Sequence, residues 1–263
     1  MPTFSLPYWA MLGILVALHI ALAFPAALAE DAVEVDTALI LAVDVSDSVD
    51  ANRYQLQMEG ISRALEDESV INAITGGPKG GILLSLVSWT DHAEMQLSWQ
   101  LIRSTDDARR IAALIRALPQ RTGEYTCLSR MLAMVKESVA PDVPAKATRV
   151  VLDVSGDGID NCSEPANTAR ERDELVAMGV TINGLPILVK GENDVVGSGA
   201  YRAPGYELKG LLVGAGSHQT TMEAWYRDNV VGGPTGFLIA AQGFGDFGRA
   251  FRQKFITEIS AIE

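Results

Sequence analysis

Apolar and polar positions along this chain fall into blocks that alternate between strand and helix periods. The run from Thr37 to Val45 is almost continuously apolar, as expected of a parallel strand buried on both faces. Tyr54, Met58, Ile61 and Leu65 follow at helical spacing. Gly81 to Trp89 predicts the next strand, and Glu94 to Ile102 a short antiparallel partner at an edge. Ser104 and the acidic residues after it predict an N-cap for a helix bearing Ile111, Ala112, Ile115 and Leu118, stopped by Pro119.

The second half repeats this order. Leu128, Met131, Leu132, Val135 and Val139 mark a helix, and Arg149 to Val154 a strand. Ala166 to Met178 predicts a helix ended by Gly179, then a strand from Val180 to Val189 interrupted by Pro186. Lys190 to Gly210 is rich in glycine and polar residues, which predicts a loop insertion near residues 190–215. Thr220 to Asn229 reads as helix and Gly236 to Ala241 as a short strand. Phe244, Phe247, Phe251, Phe255 and Ile259 form one helical stripe suited to core packing. This alternation predicts an α/β domain of three layers, doubly wound around a mostly parallel sheet with one antiparallel edge strand.

Charge patterning changes the picture at the N-terminus. The first 29 residues contain no Asp, Glu, Lys or Arg; Met11 to Phe24 is apolar, and Ala27, Leu28 and Ala29 form an A-x-A site before Glu30. This predicts a signal peptide over residues 1–29, cleaved near Ala29, although its first residues carry no basic side chain. The alternative is a retained membrane anchor, because the stretch is nearly long enough to span a bilayer. No second apolar run approaches that length, so residues 30–263 are expected to form one domain without a membrane span, periplasmic or secreted. The net charge of −12 makes nucleic acid and anionic membranes poor partners and favours cations or basic ones.

Two cysteines, Cys127 and Cys162, are too few for a disulfide-dense scaffold or a multi-cysteine zinc site. His92 and His218 are isolated, and no H-E-x-x-H is present. The Gly-Ala-Gly of residues 214–216 lacks the third glycine of a dinucleotide loop.

Candidate chemistry concentrates where the strands end. Asp44, Ser46 and Ser48 alternate after the first strand, Thr126 lies in a glycine-containing loop before a helix, and Asp157 precedes Gly158 after the strand at 150–154. Ligands of open α/β sheets bind beyond the carboxyl ends of the strands. Together the five residues resemble the metal-ion-dependent adhesion site of the von Willebrand factor A family, over roughly residues 34 to 263. The resemblance implies that the Ser46 and Ser48 hydroxyls bind a cation directly and Thr126 directly or through water. It also implies that Asp44 and Asp157 act largely through bound water. An all-oxygen site that retains water suits Mg²⁺, with Mn²⁺ or Ca²⁺ as alternatives. Neutral hydroxyls leave such an ion under-neutralised, so the implied partner is a protein presenting an Asp or Glu carboxylate.

This chain departs from the family pattern at Gly156, where a Thr or Ser usually precedes the last Asp. Asp153 and Asp160 are competing carboxylates nearby. On the same resemblance both cysteines fall on ligand loops, Cys127 beside Thr126 and Cys162 beyond Asp157, and a disulfide between them is expected in an oxidising compartment. The stretches Asn183 to Ile187, Trp225 to Pro234 and Phe247 to Phe255 are similar to a bacterial family of exported A-domain proteins without assigned function. The implied activity is binding rather than catalysis. Two alternatives remain. One is a metal-assisted phosphatase with Asp44 as nucleophile, weakened because Ser46 stands where a second carboxylate is needed. The other is a metal-free structural or assembly domain.

Overall fold

The computed structural model describes residues 33–193, 195–197 and 219–260. The expected leader lies outside these residues, as does most of the expected insertion. Five strands form the central sheet: β1 (Glu34–Asp44), β2 (Ile82–Trp89), β3 (Ala93–Ile102), β4 (Lys146–Gly156) and β5 (Val180–Pro186). Their order is β3-β2-β1-β4-β5, with every pairing parallel except β2 with β3. β1 is the centre, and Ala42 sits opposite both Val87 of β2 and Val154 of β4.

The apolar run of β1 is explained by its two covered faces. Leu39, Leu41 and Val43 pack beneath α1 (Ala51–Glu66), α2 (Glu68–Thr75), α3 (Thr105–Arg116) and α7 (Phe247–Ser260). Ile40 and Ala42 face α4 (Leu128–Met134), α5 (Pro165–Ala177) and α6 (Met222–Asn229). Chain direction places β2 on one side of β1 and β4 on the other, so the strand order reverses beside β1. That reversal leaves a crevice at the carboxyl edge.

Local chemistry sets the helix ends. The Asp50 carboxylate accepts from Arg53 N at 2.8 Å and caps α1. Asp67 then ends α1 and caps α2 through Ser69 N at 2.9 Å. This shared cap breaks what would otherwise read as one segment, and α2 was not anticipated from the sequence. The Ser104 hydroxyl caps α3 as expected. α1 and α7 cross closely because two glycines meet: a Cβ on Gly60 would lie 2.9 Å from Gly248 Cα. The aromatic stripe of α7 packs into this side, with Phe247 and Phe251 stacked at 5.8 Å between ring centroids.

Two expectations are corrected. Gly236 to Ala241 is no strand; it runs beside β5 and is tied by isolated bridges of Leu238 to Gly184 and Ala241 to Ile187. The cause is its irregular path, which brings only single residues into register. The helix expected from Thr220 starts at Met222, because Thr221 caps it through Ala224 N and Gln219–Thr221 (β7) pairs with Val195–Gly197 (β6). No helix of the described residues is long and apolar enough to cross a membrane.

Candidate metal centre

β1 delivers Asp44 at its last position, and the chain then turns at Ser46 to Ser48 before α1. The Asp44 carboxylate folds back on this turn, with Oδ1 accepting from Ser46 N at 2.8 Å. Gln57 of α1 holds the same corner by donating to the Asp44 carbonyl at 3.2 Å. The Ser46 and Ser48 hydroxyls are 3.3 Å apart. Thr126 reaches Ser46 from the second loop, Oγ1 to Oγ 3.3 Å. Asp157 closes the ring from the third, its Oδ1 accepting from the Ser48 hydroxyl at 2.6 Å. All five residues singled out in the sequence therefore meet at one place on the carboxyl edge.

The loops are held by their own hydrogen bonds. Asp91 accepts from Glu124 N and Tyr125 N, at 3.0 and 2.7 Å. Thr90 donates to the Tyr125 carbonyl at 2.9 Å. Asn161 accepts from Thr126 N at 2.8 Å, and its own N–H donates to the Thr126 carbonyl at 3.0 Å. Beside this double link, Cys127 and Cys162 form a disulfide with Cα atoms 5.1 Å apart. Asn193 donates to the Asp157 carbonyl at 2.6 Å and to that of Ile187 at 2.9 Å, anchoring the third loop.

The rival carboxylates are occupied elsewhere. Asp160 is spent on capping: it accepts from the backbone of Ser129, Cys162 and Ser163 and from the Thr168 hydroxyl, at 2.7 to 3.0 Å. Asp153 points under α7, where it pairs with Lys254. Among the described residues no group of three or more His, Cys, Asp or Glu could hold a metal ion. A cation at this edge would therefore rely on hydroxyls.

Electrostatics match that chemistry. Burial, then the neighbouring Asp157 charge, pushes the Asp44 carboxyl up to about 8. Burial also raises Asp157. Asp44 Oδ2 is buried without a hydrogen-bond partner among the described residues. Arg53 supplies the nearby cation, with Nη1 3.6 Å from Asp157 Oδ2, but it also binds Glu192 at 2.8 Å and lies over the Phe244 ring. Three hydroxyls together with the Asp157 carboxylate are a donor set that fits a hard divalent ion, whereas Asp44 Oδ2 is turned toward Gly156 and Tyr226. A cleft of about 500 Å³ gives access to Ser46, lined also by Asp47, Asp50, Thr122 and Glu124.

Residues 34–263 match the family described as protein of unknown function (DUF1194). The chain belongs to this family. No curated protein matches it in sequence. Solved structures of similar fold include proximal thread matrix protein 1 from the mussel byssus with a zinc-occupied MIDAS motif, at 16% identity and a TM-score of 0.51 over 88% of this chain and 49% of that one. This chain thus spans about half the length of the mussel protein. A von Willebrand factor type A protein from Catenulispora acidiphila gives 15% identity and a TM-score of 0.52, over 86% of this chain and 43% of the other. The von Willebrand factor domain of the type V pilus tip protein Mfa5 from Porphyromonas gingivalis gives 10% and 0.53, over 88% and 98%. The fold is that of the von Willebrand factor A domain.

Sequence reasoning missed several residues of this edge. Arg53, Asn193, Trp89 and Tyr226 all approach it, and none carries a local signal. They arrive from α1, a late loop, β2 and α6, so only the folded chain brings them together.

Proposed function

We propose that this protein is an exported, metal-dependent protein-binding module that captures an acidic side chain of a partner. The observation that carries the reading is the meeting of the Ser46, Ser48 and Thr126 hydroxyls with the carboxylates of Asp44 and Asp157. Ser46, Ser48 and Thr126 would hold the ion through neutral oxygens, while Asp44 and Asp157 orient those hydroxyls and retain water. A bound divalent cation, Mg²⁺ by donor type with Mn²⁺ or Ca²⁺ as alternatives, supplies positive charge and an open coordination position for an Asp or Glu carboxylate. That the mussel protein of similar fold has a zinc-occupied MIDAS motif supports a divalent ion here.

Export rests on the uncharged apolar leader of residues 1–29, with cleavage near Ala29 and a periplasmic or secreted destination. The Cys127–Cys162 bridge agrees with an oxidising compartment. Catalysis is disfavoured by the same geometry: Ser46, two positions after Asp44, offers no second carboxylate to act as acid toward a leaving group.

Calorimetric titration of the purified protein with Mg²⁺ tests the reading, together with capture of partners from the native envelope with and without chelator. Mg²⁺ binding lost in Ser46→Ala/Ser48→Ala, and partners released by chelator, are expected. A wild-type protein that ignores millimolar divalent ions would leave the metal-free assembly role in its place.

A further inference from the structure

Gly156 stands where the resembled pattern carries a hydroxyl residue, and the surroundings show why a side chain is excluded. A Cβ built there would lie 2.8 Å from Asp44 Oδ2, 2.8 Å from Tyr226 Oη and 3.1 Å from Trp89 Cζ2. The room beside Asp44 is thus filled by aromatic side chains from β2 and α6. Tyr226 and Asp44 are both fully buried. Asp44 Oδ2 and Tyr226 Oη each lack a hydrogen-bond partner among the described residues. Each lies 2.8 Å from the same point, so they are at most twice that distance apart.

These two orphans are complementary. A carboxylate oxygen accepts only, whereas a phenol has a proton to donate. Buried polar groups are rarely left unsatisfied, and the cost of leaving two side by side is removed by a small rotation or one bridging water. We propose that Tyr226 is the positioning residue of the metal centre: its phenol donates to Asp44 Oδ2, directly or through a water in the space left by Gly156.

This rests on the metal reading above and deepens it. With Oδ2 held from behind, Oδ1 is fixed toward Ser46 N, and the turn carrying Ser46 and Ser48 is set in place. The hydroxyl absent at position 156 is in effect supplied from α6. Groups of this outer kind commonly change metal affinity 10- to 100-fold when removed. The arrangement also ties α6, and the hairpin strand β7 immediately before it, to the state of the cation site.

The test is Mg²⁺ titration calorimetry on the wild type, Y226F, G156S and the double variant G156S/Y226F. Y226F is expected to weaken Mg²⁺ about tenfold while the metal-free melting temperature stays near that of the wild type. G156S alone is expected to weaken binding through collision with Asp44 and Tyr226. The double variant removes the collision with the phenol but keeps those with Asp44 Oδ2 and Trp89, so it is expected to bind no better than Y226F. Unchanged Mg²⁺ affinity in Y226F would overturn the assignment.

A second measurement separates this idea from the metal reading. In the metal-free protein, urea unfolding of Y226F, D44A and their combination forms a double-mutant cycle. Non-additive effects are expected from two interacting oxygens, and additivity overturns the pairing. A wild type that binds no Mg²⁺ but shows this coupling sinks the metal reading and leaves the contact standing.

Discussion

Two clusters of buried carboxylates, a few residues apart along β4, are treated in opposite ways. Under α7, Asp153 and Glu258 share the ammonium group of Lys254, which is fully buried; its Nζ donates to Glu258 Oε1 at 2.6 Å. Asn183 adds a further bond to the same Glu258 oxygen at 2.5 Å. At the carboxyl edge Arg53 lies beside Asp157, while Asp44 accepts from Ser46 N through Oδ1 and its Oδ2 has no hydrogen-bond partner among the described residues. A buried anion with its cation built into the fold has its charge compensated there, even though the Asp153 oxygens and Glu258 Oε2 have no hydrogen-bond partner among the described residues. One without it gains from a cation arriving from solvent. The first cluster fastens α7 to the sheet; the second is open to ligand.

The contrast is best broken by removing the built-in cation. Lys254→Ala would strand two buried carboxylates and is expected to cost about 3–5 kcal/mol in urea unfolding. A loss below about 1 kcal/mol would show that the cluster is hydrated and contributes little.

The carboxyl edge is held by a covalent link instead. Replacing Cys127 and Cys162 with Ala is expected to lower stability by roughly 3–4 kcal/mol, the chain-entropy estimate for a loop of this length. Guanidinium unfolding of oxidised and bridge-less proteins measures it; equal midpoints would mean that the Asn161–Thr126 link alone fixes the loops.

Next comes the metal. Mg²⁺ at about 100 times its Kd is expected to stabilise the wild type by about 2.7 kcal/mol, read as a rise in melting temperature. Ser46→Ala/Ser48→Ala should abolish the rise. A conservative disruption of the other cluster, Asp153→Asn, should leave it intact even as the baseline falls. Loss of the rise in Asp153→Asn would mean that the two clusters are coupled.

Smaller effects sharpen the distinction. Asp44→Asn in the metal-free protein replaces a carboxyl that burial already pushes toward its neutral form, so its stability is expected to stay within about 1 kcal/mol of the wild type. A large destabilisation would show Asp44 to be structural. Glu192→Ala, which removes an exposed partner of Arg53, is expected to change stability by less than about 1 kcal/mol. Any larger change by chemical denaturation would make the Arg53–Glu192 pair part of the scaffold.

Much of this was legible along the chain because it depends on local pattern. The continuous apolar run before Asp44 announced a doubly covered strand, and Ser104 with its acidic followers announced the start of α3. Asp44, Ser46, Ser48 and Asp157 could be named because they follow strand ends, and Thr126 because it lies in a glycine-containing loop before a helix, in the order of the resembled pattern. What stayed hidden depends on position in space. Asp67 both stops α1 and starts α2, so the break there has no apolar signature. Asp153 read as a rival ligand because its counter-charge, Lys254, arrives from the last helix. Leu238 and Ala241 looked like a strand because their pattern is apolar, yet they make only single bridges to β5.

Local pattern was enough for the five sheet strands and the helices between them other than α2, and for the residue types gathered at the carboxyl edge with two cysteines beside them, since periodicity and turn chemistry act over a few residues. Tertiary structure alone decided which carboxylates are neutralised, that Gly156 faces Asp44 and Tyr226, and that Asp157 rather than Asp160 joins the hydroxyls. The physical reason is that burial and charge compensation are properties of neighbours in space, and here those neighbours come from distant parts of the chain.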